Sequence, residues 1–255
     1  MLQLLGGVRL VWRPLPIRSL NVTNVAIVDQ VAYAPTYLSS ISSNMTFRLI
    51  VHPENPQVRF LKQAATILGA GGIAAVPTDS SYALVCHLED KTAVDKIRRI
   101  RGVDEKHHLT LICKDLSELA HYARVDNRQF RLIKSATPGP YTFILEATKE
   151  VPRRVCHPQR KTIGLRVPDN KVILELLAVH GAPLLSTTLI PPGENEPLND
   201  PDVIETRFQN AIDVIIDAGA CHLDPTTVVD LTPMGDGGAA VLIRQGRGEL
   251  STLGL

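Results

Sequence analysis

The stretch "AAVPTDSSYAL", residues 74–84, decides the fold, because an apolar run stops, becomes polar and then resumes. Asp and Ser hydrogen-bond their own backbone, so the polar residues suit a turn between two strands. They equally suit a ligand-facing loop at the carboxyl end of a strand, where open α/β sheets place their sites. Both interpretations predict flanking strands, at residues 73–76 and 83–87.

Helix and strand patterns alternate outward from this stretch. Upstream, residues 47–51 form a predicted strand, and a helix follows with Asn55 as its N-cap and Pro56 as its first residue. Downstream, Asp90 is the predicted N-cap of a helix that ends at Arg101. Short β-branched runs separated by helices continue to the C-terminal part of the sequence. This alternation predicts a single α/β domain built on an open, twisted, mixed β-sheet with flanking helices.

Polar side chains recur at the ends of the predicted strands. They are Thr78, Asp79, Ser80, Ser81 and Tyr82 after the strand at residues 73–76, and Arg166, Ser186, Thr187, Thr188 and Arg244 after later strands. In the segment "DPTTVVDL", residues 224–231, Thr226 and Thr227 instead precede the apolar residues. Hydroxyls donate single hydrogen bonds and arginines clamp oxyanions, so the set predicts a site for phosphate and polar oxygens. Each residue taken alone also suits a turn or a cap.

Several common catalytic motifs are absent from the sequence. It contains no GxxxxGK[ST] loop and no GxGxxG after a strand, so a nucleotide would bind in another way. No GxSxG elbow and no Cys-His or Ser-His spacing indicates a covalent nucleophile. The one histidine pair, His107-His108, consists of adjacent residues that point apart, which makes a poor metal site and indicates a solvated loop. We therefore expect no protein-bound metal.

The distribution of charge along the sequence indicates possible binding partners, and the cysteine content indicates the cellular compartment of the protein. Residues 91–161 hold 16 Lys and Arg against 8 Asp and Glu, whereas residues 162–255 hold 5 against 13. The basic part, which includes "KIRRIR" (residues 96–101) and "VPRRVCHPQRK" (residues 151–161), suits contact with RNA phosphates or a nucleotide tail. A solvated face, or packing of the two stretches against each other, explains it equally well. Four widely spaced cysteines predict reduced thiols in a cytoplasmic protein. No segment approaches about 18 uninterrupted apolar residues, so we expect no membrane span.

Residues 1–44 differ from the remainder of the sequence. Arg9 and Arg13 interrupt the apolar run that a secretory signal needs, and a transit peptide fits the composition only loosely. A third interpretation, which we favour, is that translation begins at Met45, directly before the first predicted strand. In each case, residues 1–44 are expected to be an extension outside the core domain.

Seven short motifs follow one another in the order found in one protein family. They are "VPTDSSYAL" (76–84), "KIRRIRG" (96–102), "TPGPYTFIL" (137–145), "TIGLRVPD" (162–169), "PLLSTT" (183–188), "PTTVVDL" (225–231) and "IRQGRG" (243–248). Together they resemble the YrdC-like superfamily, most closely its YciO branch, over residues 46–250. The resemblance implies an open twisted α/β sheet with a concave, positively charged cavity.

The resemblance also implies an activity, namely L-threonylcarbamoyladenylate synthesis. ATP, L-threonine and bicarbonate would give threonylcarbamoyl-AMP and pyrophosphate for modification of adenosine 37 of tRNA, and Mg²⁺ would arrive with the ATP. Members also resemble double-stranded-RNA binders. Thr78 would contact threonine in a pocket that Tyr82 also lines, and Arg166 would add positive charge. Contacts to substrate, ATP or its phosphates would come from Thr142, Thr188, Thr226, Thr227 and Arg244.

The sequence departs from the synthases at two places. Their Lys-x-Arg pair is replaced by Arg101-Gly102-Val103, and their Ser-x-Asn by Thr188-Leu189-Ile190. Arg101 replaces the lysine only in part, as a charge, because arginine and lysine are not interchangeable. The side chains of Val103 and Ile190 donate no hydrogen bond. Three functions therefore stay open. The protein is a threonylcarbamoyl-AMP synthase of full or reduced activity, or a non-catalytic protein that binds RNA or a nucleotide. The third alternative is an enzyme that makes a different carbamoyl or acyl adenylate.

Overall fold

The computed structural model describes residues 46–255, which contain ten strands and seven α-helices. The strands are β1 Phe47–Ile50, β2 Ala74–Val76, β3 Ala83–His87, β4 Thr110–Ile112, β5 Tyr141–Glu146, β6 Thr162–Arg166, β7 Leu184–Thr188, β8 Val214–Asp217, β9 Thr227–Asp230 and β10 Val241–Arg244. The helices are α1 Val58–Gly69, α2 Lys91–Arg101, α3 Leu116–Tyr122, α4 Asn127–Ala136, α5 Lys171–His180, α6 Pro201–Phe208 and α7 Thr232–Gly235. A 3₁₀ turn follows at Leu250–Leu253.

All ten strands belong to one mixed sheet. Their order is β1-β8-β2-β3-β7-β4-β6-β5-β9-β10. The pairs β1–β8, β2–β8, β4–β6 and β5–β9 are parallel, and the others are antiparallel. A large twisted mixed sheet with flanking helices confirms the predicted fold class.

The two faces of the sheet pack against different helices. Because side chains alternate along a strand, one face presents Leu84, Leu111, Phe143, Leu165 and Leu185 to a core that also includes apolar residues of α2, α3, α4 and α6. Within residues 46–255, the opposite face packs against α1 and α5 only, and only over β1, β8, β2 and parts of β3, β4 and β7. The uncovered remainder of this second face carries the candidate site.

Most predicted element boundaries agree with the structure to within two residues. Strand β3 has the predicted limits, and the Asp90 carboxylate caps α2 by accepting from the backbone N–H of Ala93 at 2.9 Å. Helix α1 begins at Val58 rather than Pro56, and the N-cap is Gln57. Helix α7 has only four residues and was not predicted. The prediction for residues 1–44 lies outside the described residues.

Candidate functional site

A cavity of about 340 Å³ opens on the uncovered part of the second sheet face. We call it the first cavity. Its floor follows the alternation of the strands, because Thr142 and Ile144 of β5, and Gly164 and Arg166 of β6, are two residues apart and share a face. Gly164 leaves space at the centre. A Cβ atom there would lie 3.0 Å from Thr110 Oγ1 and 3.3 Å from Thr142 Cγ2.

Hydroxyl groups dominate the polar lining of the first cavity. They belong to Thr78, Ser80, Ser81, Thr110, Thr142, Ser186, Thr187, Thr188 and Thr226. The positive charges that line it come from Arg101, Lys106, Arg166 and Arg244, and no Asp or Glu of residues 46–255 lines it. Such a combination suits an anionic ligand that also carries hydroxyl or carbonyl oxygens.

Arg166 does not add free charge to the cavity, contrary to the sequence expectation. Its guanidinium is buried and forms an ion pair with the Asp79 carboxylate, and it also donates to Ser80 Oγ at 3.3 Å. The second Asp79 oxygen accepts from the backbone N–H of Asp169 at 2.9 Å. Burial lowers the pKa of Arg166, and the Asp79 carboxylate opposes that fall. The pair therefore holds the loop of residues 77–82 against β6.

The loop of residues 77–82 is both a turn and a wall of the first cavity. Thr78 Oγ1 donates to the carbonyl of Ser81 at 2.7 Å and accepts from the N–H of Ser80 at 3.2 Å. A hydroxyl has one proton, so Thr78 in this arrangement offers a ligand only an acceptor lone pair. Ser80 Oγ, 3.1 Å from Thr78 Oγ1, carries a proton that a ligand can compete for.

Tyr82 and Thr227 lie outside the cavity, which corrects their expected placement. Tyr82 is fully buried in the core of the opposite face, and its hydroxyl donates to the carbonyl of Gly219 at 2.9 Å. Thr227 Oγ1 donates to the carbonyl of Gly248 at 2.7 Å and accepts from Gly246 N–H at 2.9 Å. In each case the adjacent residue, Ala83 or Thr226, lines the cavity, because neighbours on a strand face opposite sides.

Three predicted residues meet at the edge of the cavity farthest from α1 and α5. The hydroxyls of Thr142 and Thr226 are 3.1 Å apart. Arg244 Nη2 donates to the Thr226 carbonyl at 3.1 Å, and Nε of the same side chain donates to it at 3.3 Å. Strands β5, β9 and β10 therefore deliver two hydroxyls and a guanidinium to one place. The Arg244 N–H groups not used on Thr226 can bind an oxyanion.

Arg101 joins the opposite wall. Its Nη1 donates to the backbone carbonyl of Ile190, so the two segments that differ from the synthases contact each other. Its Nε is buried and has no hydrogen-bond partner within residues 46–255. Thr188, half-buried, lines the cavity near this contact. Seven of the nine predicted site residues thus line one cavity, Thr78, Arg101, Thr142, Arg166, Thr188, Thr226 and Arg244.

The loop after α2 contributes residues that the sequence interpretation missed. Lys106, His107 and His108 line the cavity from a loop, as predicted for the histidine pair, with His107 exposed and His108 half-buried. Partial burial, followed by the charge of Arg101, lowers the pKa of His107, and partial burial, followed by His157, lowers the pKa of His108. The only sequence signal was their position a few residues after Arg101. Within residues 46–255, no group of three or more His, Cys, Asp or Glu side chains comes together as a metal site.

These features define a YrdC-like α/β protein with a cationic cavity. The family model for Sua5, YciO and YrdC proteins, described as telomere recombination, matches residues 66–246. The chain therefore belongs to this family, as the sequence motifs predicted. Among the residues that the structure describes, no helix is long and apolar enough to cross a bilayer.

Two groups of proteins to which this chain is similar are YciO proteins and threonylcarbamoyl-AMP synthases. YciO of Escherichia coli strain K12, described as uncharacterized, is 48% identical over 200 residues, 78% of this chain and 95% of YciO. The crystal structure of E. coli YciO gives a TM-score of 0.78 at 47% identity, covering 82% of this chain and 100% of that chain. The threonylcarbamoyl-AMP synthase of Bos taurus is 30% identical over 197 residues, 73% of this chain and 67% of the synthase.

A solved structure with a ligand belongs to the second group. P. abyssi Sua5 complexed with L-threonine gives a TM-score of 0.72 at 25% identity, covering 79% of this chain but only 58% of Sua5. The chain is thus similar to the whole of YciO and to part of Sua5.

Proposed function

We propose that the protein makes L-threonylcarbamoyladenylate from ATP, L-threonine and bicarbonate, and that the product serves tRNA modification. The main support is the first cavity, which gathers Arg101, Lys106 and Arg244 around hydroxyl groups, with no carboxylate of residues 46–255 in its lining. Family membership and the relationship to threonylcarbamoyl-AMP synthases support the same reaction. The four free cysteines fit a reducing cytoplasm.

The chemistry asks the protein for positioning and charge stabilisation. The threonine amine attacks bicarbonate, water leaves, and an oxygen of the resulting carbamate attacks the α-phosphorus of ATP. A new P–O bond forms as the bond to pyrophosphate breaks. Negative charge on the phosphates would be stabilised by Arg244, Lys106 and Arg101, while Thr142 and Thr226 offer hydrogen bonds to oxygens. Mg²⁺ bound to ATP would share this charge.

A second candidate function is nucleotide binding without appreciable turnover. It is favoured by a specific observation, namely that Val103 and Ile190 offer no side-chain donor where the synthases have Arg and Asn. Moreover, Arg101 already donates to the Ile190 carbonyl, and Thr78 donates its only proton to Ser81. Losing one preorganised donor typically slows a reaction by about 10²–10³. A slow synthase is therefore the form of the first proposal that we expect.

Product formation by the full-length protein tests the proposal. ATP, Mg²⁺, bicarbonate and L-threonine are supplied, and threonylcarbamoyl-AMP is followed by mass and pyrophosphate by a coupled assay. We expect threonine-dependent product, reduced about 10²-fold or more by Arg244→Ala. Arg131→Ala is the matched control, since Arg131 is exposed on α4 and outside the cavity, and it should leave the rate unchanged.

The same assay separates the two candidates. No product, together with ATP binding that Arg244→Ala weakens and Arg131→Ala does not, would establish a nucleotide-binding protein without synthase turnover. Adenylate formation with an amino acid other than threonine would move the proposal to a different acyl or carbamoyl adenylate. Product that survives Arg244→Ala at the full rate would contradict the assignment of the first cavity.

A further inference from the structure

A second cavity, of about 640 Å³, lies outside the first one. It is built largely by residues 147–161, the connection between β5 and β6, with Arg124 completing the wall. The imidazole of His157, which lines this cavity, stacks on His108, which lines the first; the ring centroids are 4.8 Å apart and the rings are inclined by 22°. The stacked pair thus lies between the first and the second cavity. The proposed reaction makes no use of the second cavity.

The charge around the second cavity is positive. Arg124, Lys149, Arg153 and Lys161 line it, and no Asp or Glu of residues 46–255 does. Arg124 is 3.8 Å from a carboxylate oxygen of Glu146, and Lys149 is 4.0 Å from one of Glu150. Neither Arg153 nor Lys161 has a carboxylate oxygen of the described residues within 4 Å. Two of the four cations are therefore free to bind an external anion.

The backbone at Lys161 is a second, independent observation. Lys161 has φ of +55°, the one positive φ at a non-glycine residue in the described part of the chain. Two hydrogen bonds hold it there: its N–H donates to the carbonyl of His157 at 3.0 Å, and its carbonyl accepts from Ala147 N–H at 3.0 Å. Glycine or asparagine would adopt this conformation more readily. A lysine here places a cationic side chain at the cavity despite the backbone cost.

Apart from Thr148 and His157, the remaining lining of the second cavity is apolar, which indicates the kind of anion. It consists of Ala147, Val151, Cys156 and Pro158. Small-molecule sites typically combine an apolar lining with a few polar anchors, whereas a nucleic-acid backbone is usually bound along an extended cationic groove. We propose that the second cavity binds a small organic phosphate, with its apolar body against these residues and its phosphate between Arg153 and Lys161.

Alkylation of Cys156 reports occupancy of this cavity alone. Burial raises the pKa of the Cys156 thiol, so the reaction with iodoacetamide is run at about pH 9 and low salt. The full-length protein is treated with and without phenyl phosphate, inorganic phosphate or a short RNA duplex, and modification is followed by peptide mass. Cys221, half-buried and outside the second cavity, serves as the internal reference.

We expect phenyl phosphate to slow Cys156 alkylation at least about fivefold and to act at lower concentration than inorganic phosphate. Arg153→Gln with Lys161→Asn should weaken this protection about tenfold or more, since both charged contacts are lost while Asn keeps the left-handed backbone. Arg160→Gln is the matched control, because Arg160 is exposed beside these residues but does not line the cavity. It should keep full protection.

Three results would overturn the proposal. They are equal alkylation with and without phenyl phosphate, protection that the double variant retains, and protection by duplex RNA alone, which would assign the surface to a polynucleotide. If the double variant loses its circular dichroism spectrum, Arg153→Gln alone gives the same test. Arg153 is exposed and has no hydrogen bond or ion pair to residues 46–255 that its loss would disturb.

Discussion

One face of the sheet has two halves that differ in what covers them. Over β1, β8 and β2, helices α1 and α5 pack on the strands, and the inward side chains are apolar, such as Ala74, Val214 and Ile216. Over β6, β5 and β9 none of the helices in the described part of the chain covers this face, and the corresponding positions include Thr142, Gly164 and Arg166. Alternation is the same in both halves, but the residue types change where the helices end.

Strand β7 crosses the boundary between the halves. Leu184 packs under the helices, and two and four residues later Ser186 and Thr188 line the first cavity. Strand β4 repeats the change, from Ile112 under the helices to Thr110 in the cavity. A buried apolar face stabilises the fold, whereas an open face of hydroxyls is available to a ligand. The comparison therefore separates residues that hold the sheet from residues that bind.

The largest expected effect comes from the buried ion pair of the open half. Arg166→Met should lower the free energy of unfolding by about 3–5 kcal/mol, because the Asp79 carboxylate is left buried without its partner. Asp79→Asn combined with Arg166→Met should recover much of this loss, since Asn can still accept from Asp169 N–H. Urea unfolding followed by circular dichroism measures both. If the unfolding free energy of Arg166→Met lay within about 1 kcal/mol of the parent value, the ion pair would not stabilise the fold.

A second pair of substitutions tests the boundary along β7. Leu184→Ala should cost about 2–5 kcal/mol of unfolding free energy, because it leaves a cavity beneath α5. Thr188→Val, on the same face four residues later, should change stability by less than about 1 kcal/mol, because it faces the open half. The same denaturation experiment serves for both. Equal losses would mean that the open half is as tightly packed as the covered one.

Much of this arrangement follows from local sequence patterns. Short apolar runs bounded by polar residues located β3 and β7 and placed Thr188 at the end of β7, because such strand signals depend only on neighbouring residues. Thr142, in contrast, was indicated only by the family resemblance. Strand alternation also separates Tyr82, in the core of the opposite face, from its neighbour Ala83, which lines the cavity. It likewise separates Thr227 from Thr226, although it would also exclude Thr187, which lines the cavity beside Ser186 and Thr188.

Sequence patterns do not predict contacts between segments that are distant along the chain. Asp79 and Arg166 are 87 residues apart, so nothing local indicated that the arginine's charge is already paired. Arg101 and Ile190 are 89 residues apart, yet they contact each other. The loop of Lys106 and its following histidines enters the cavity only because α2 ends there. Such placements depend on the order of strands, which residue patterns alone do not determine.

Gly164 tests whether space on the open half matters for binding. Gly164→Ala puts a Cβ 3.0 Å from Thr110 Oγ1 and 3.3 Å from Thr142 Cγ2, so the cavity floor must shift. We expect ATP affinity to fall about tenfold while unfolding free energy changes by about 1 kcal/mol or less. Calorimetric titration measures the affinity. Gly69→Ala, where a Cβ meets nothing within 4 Å, is the control and should bind ATP as the parent does.

The smallest expected effect is a pH dependence that differs between the halves. Burial, with lesser contributions from neighbouring cationic groups, lowers the pKa of His107 and His108 in the open half, and burial and His87 lower that of His180 beside the covered half. A lowered pKa means that the folded protein binds fewer protons than the unfolded chain. Stability should therefore decrease as the pH falls below about 6.5, the usual histidine pKa, for all three residues.

A bound anion should raise the lowered histidine pKa values again, but only in the open half. Phosphate charge in the first cavity raises the pKa of His107 and His108, so binding takes up protons and ATP affinity rises by about two- to threefold as the pH falls from about 7.5 to 6. ATP also gains protons in this range, and comparison with His107→Gln combined with His108→Gln removes that contribution, because the ligand is the same. His180→Gln should leave the pH dependence of ATP affinity unchanged. If His180→Gln changed the pH dependence of ATP affinity more than the double variant of His107 and His108 does, the two halves would be coupled. The distinction between a supporting half and a binding half would then fail.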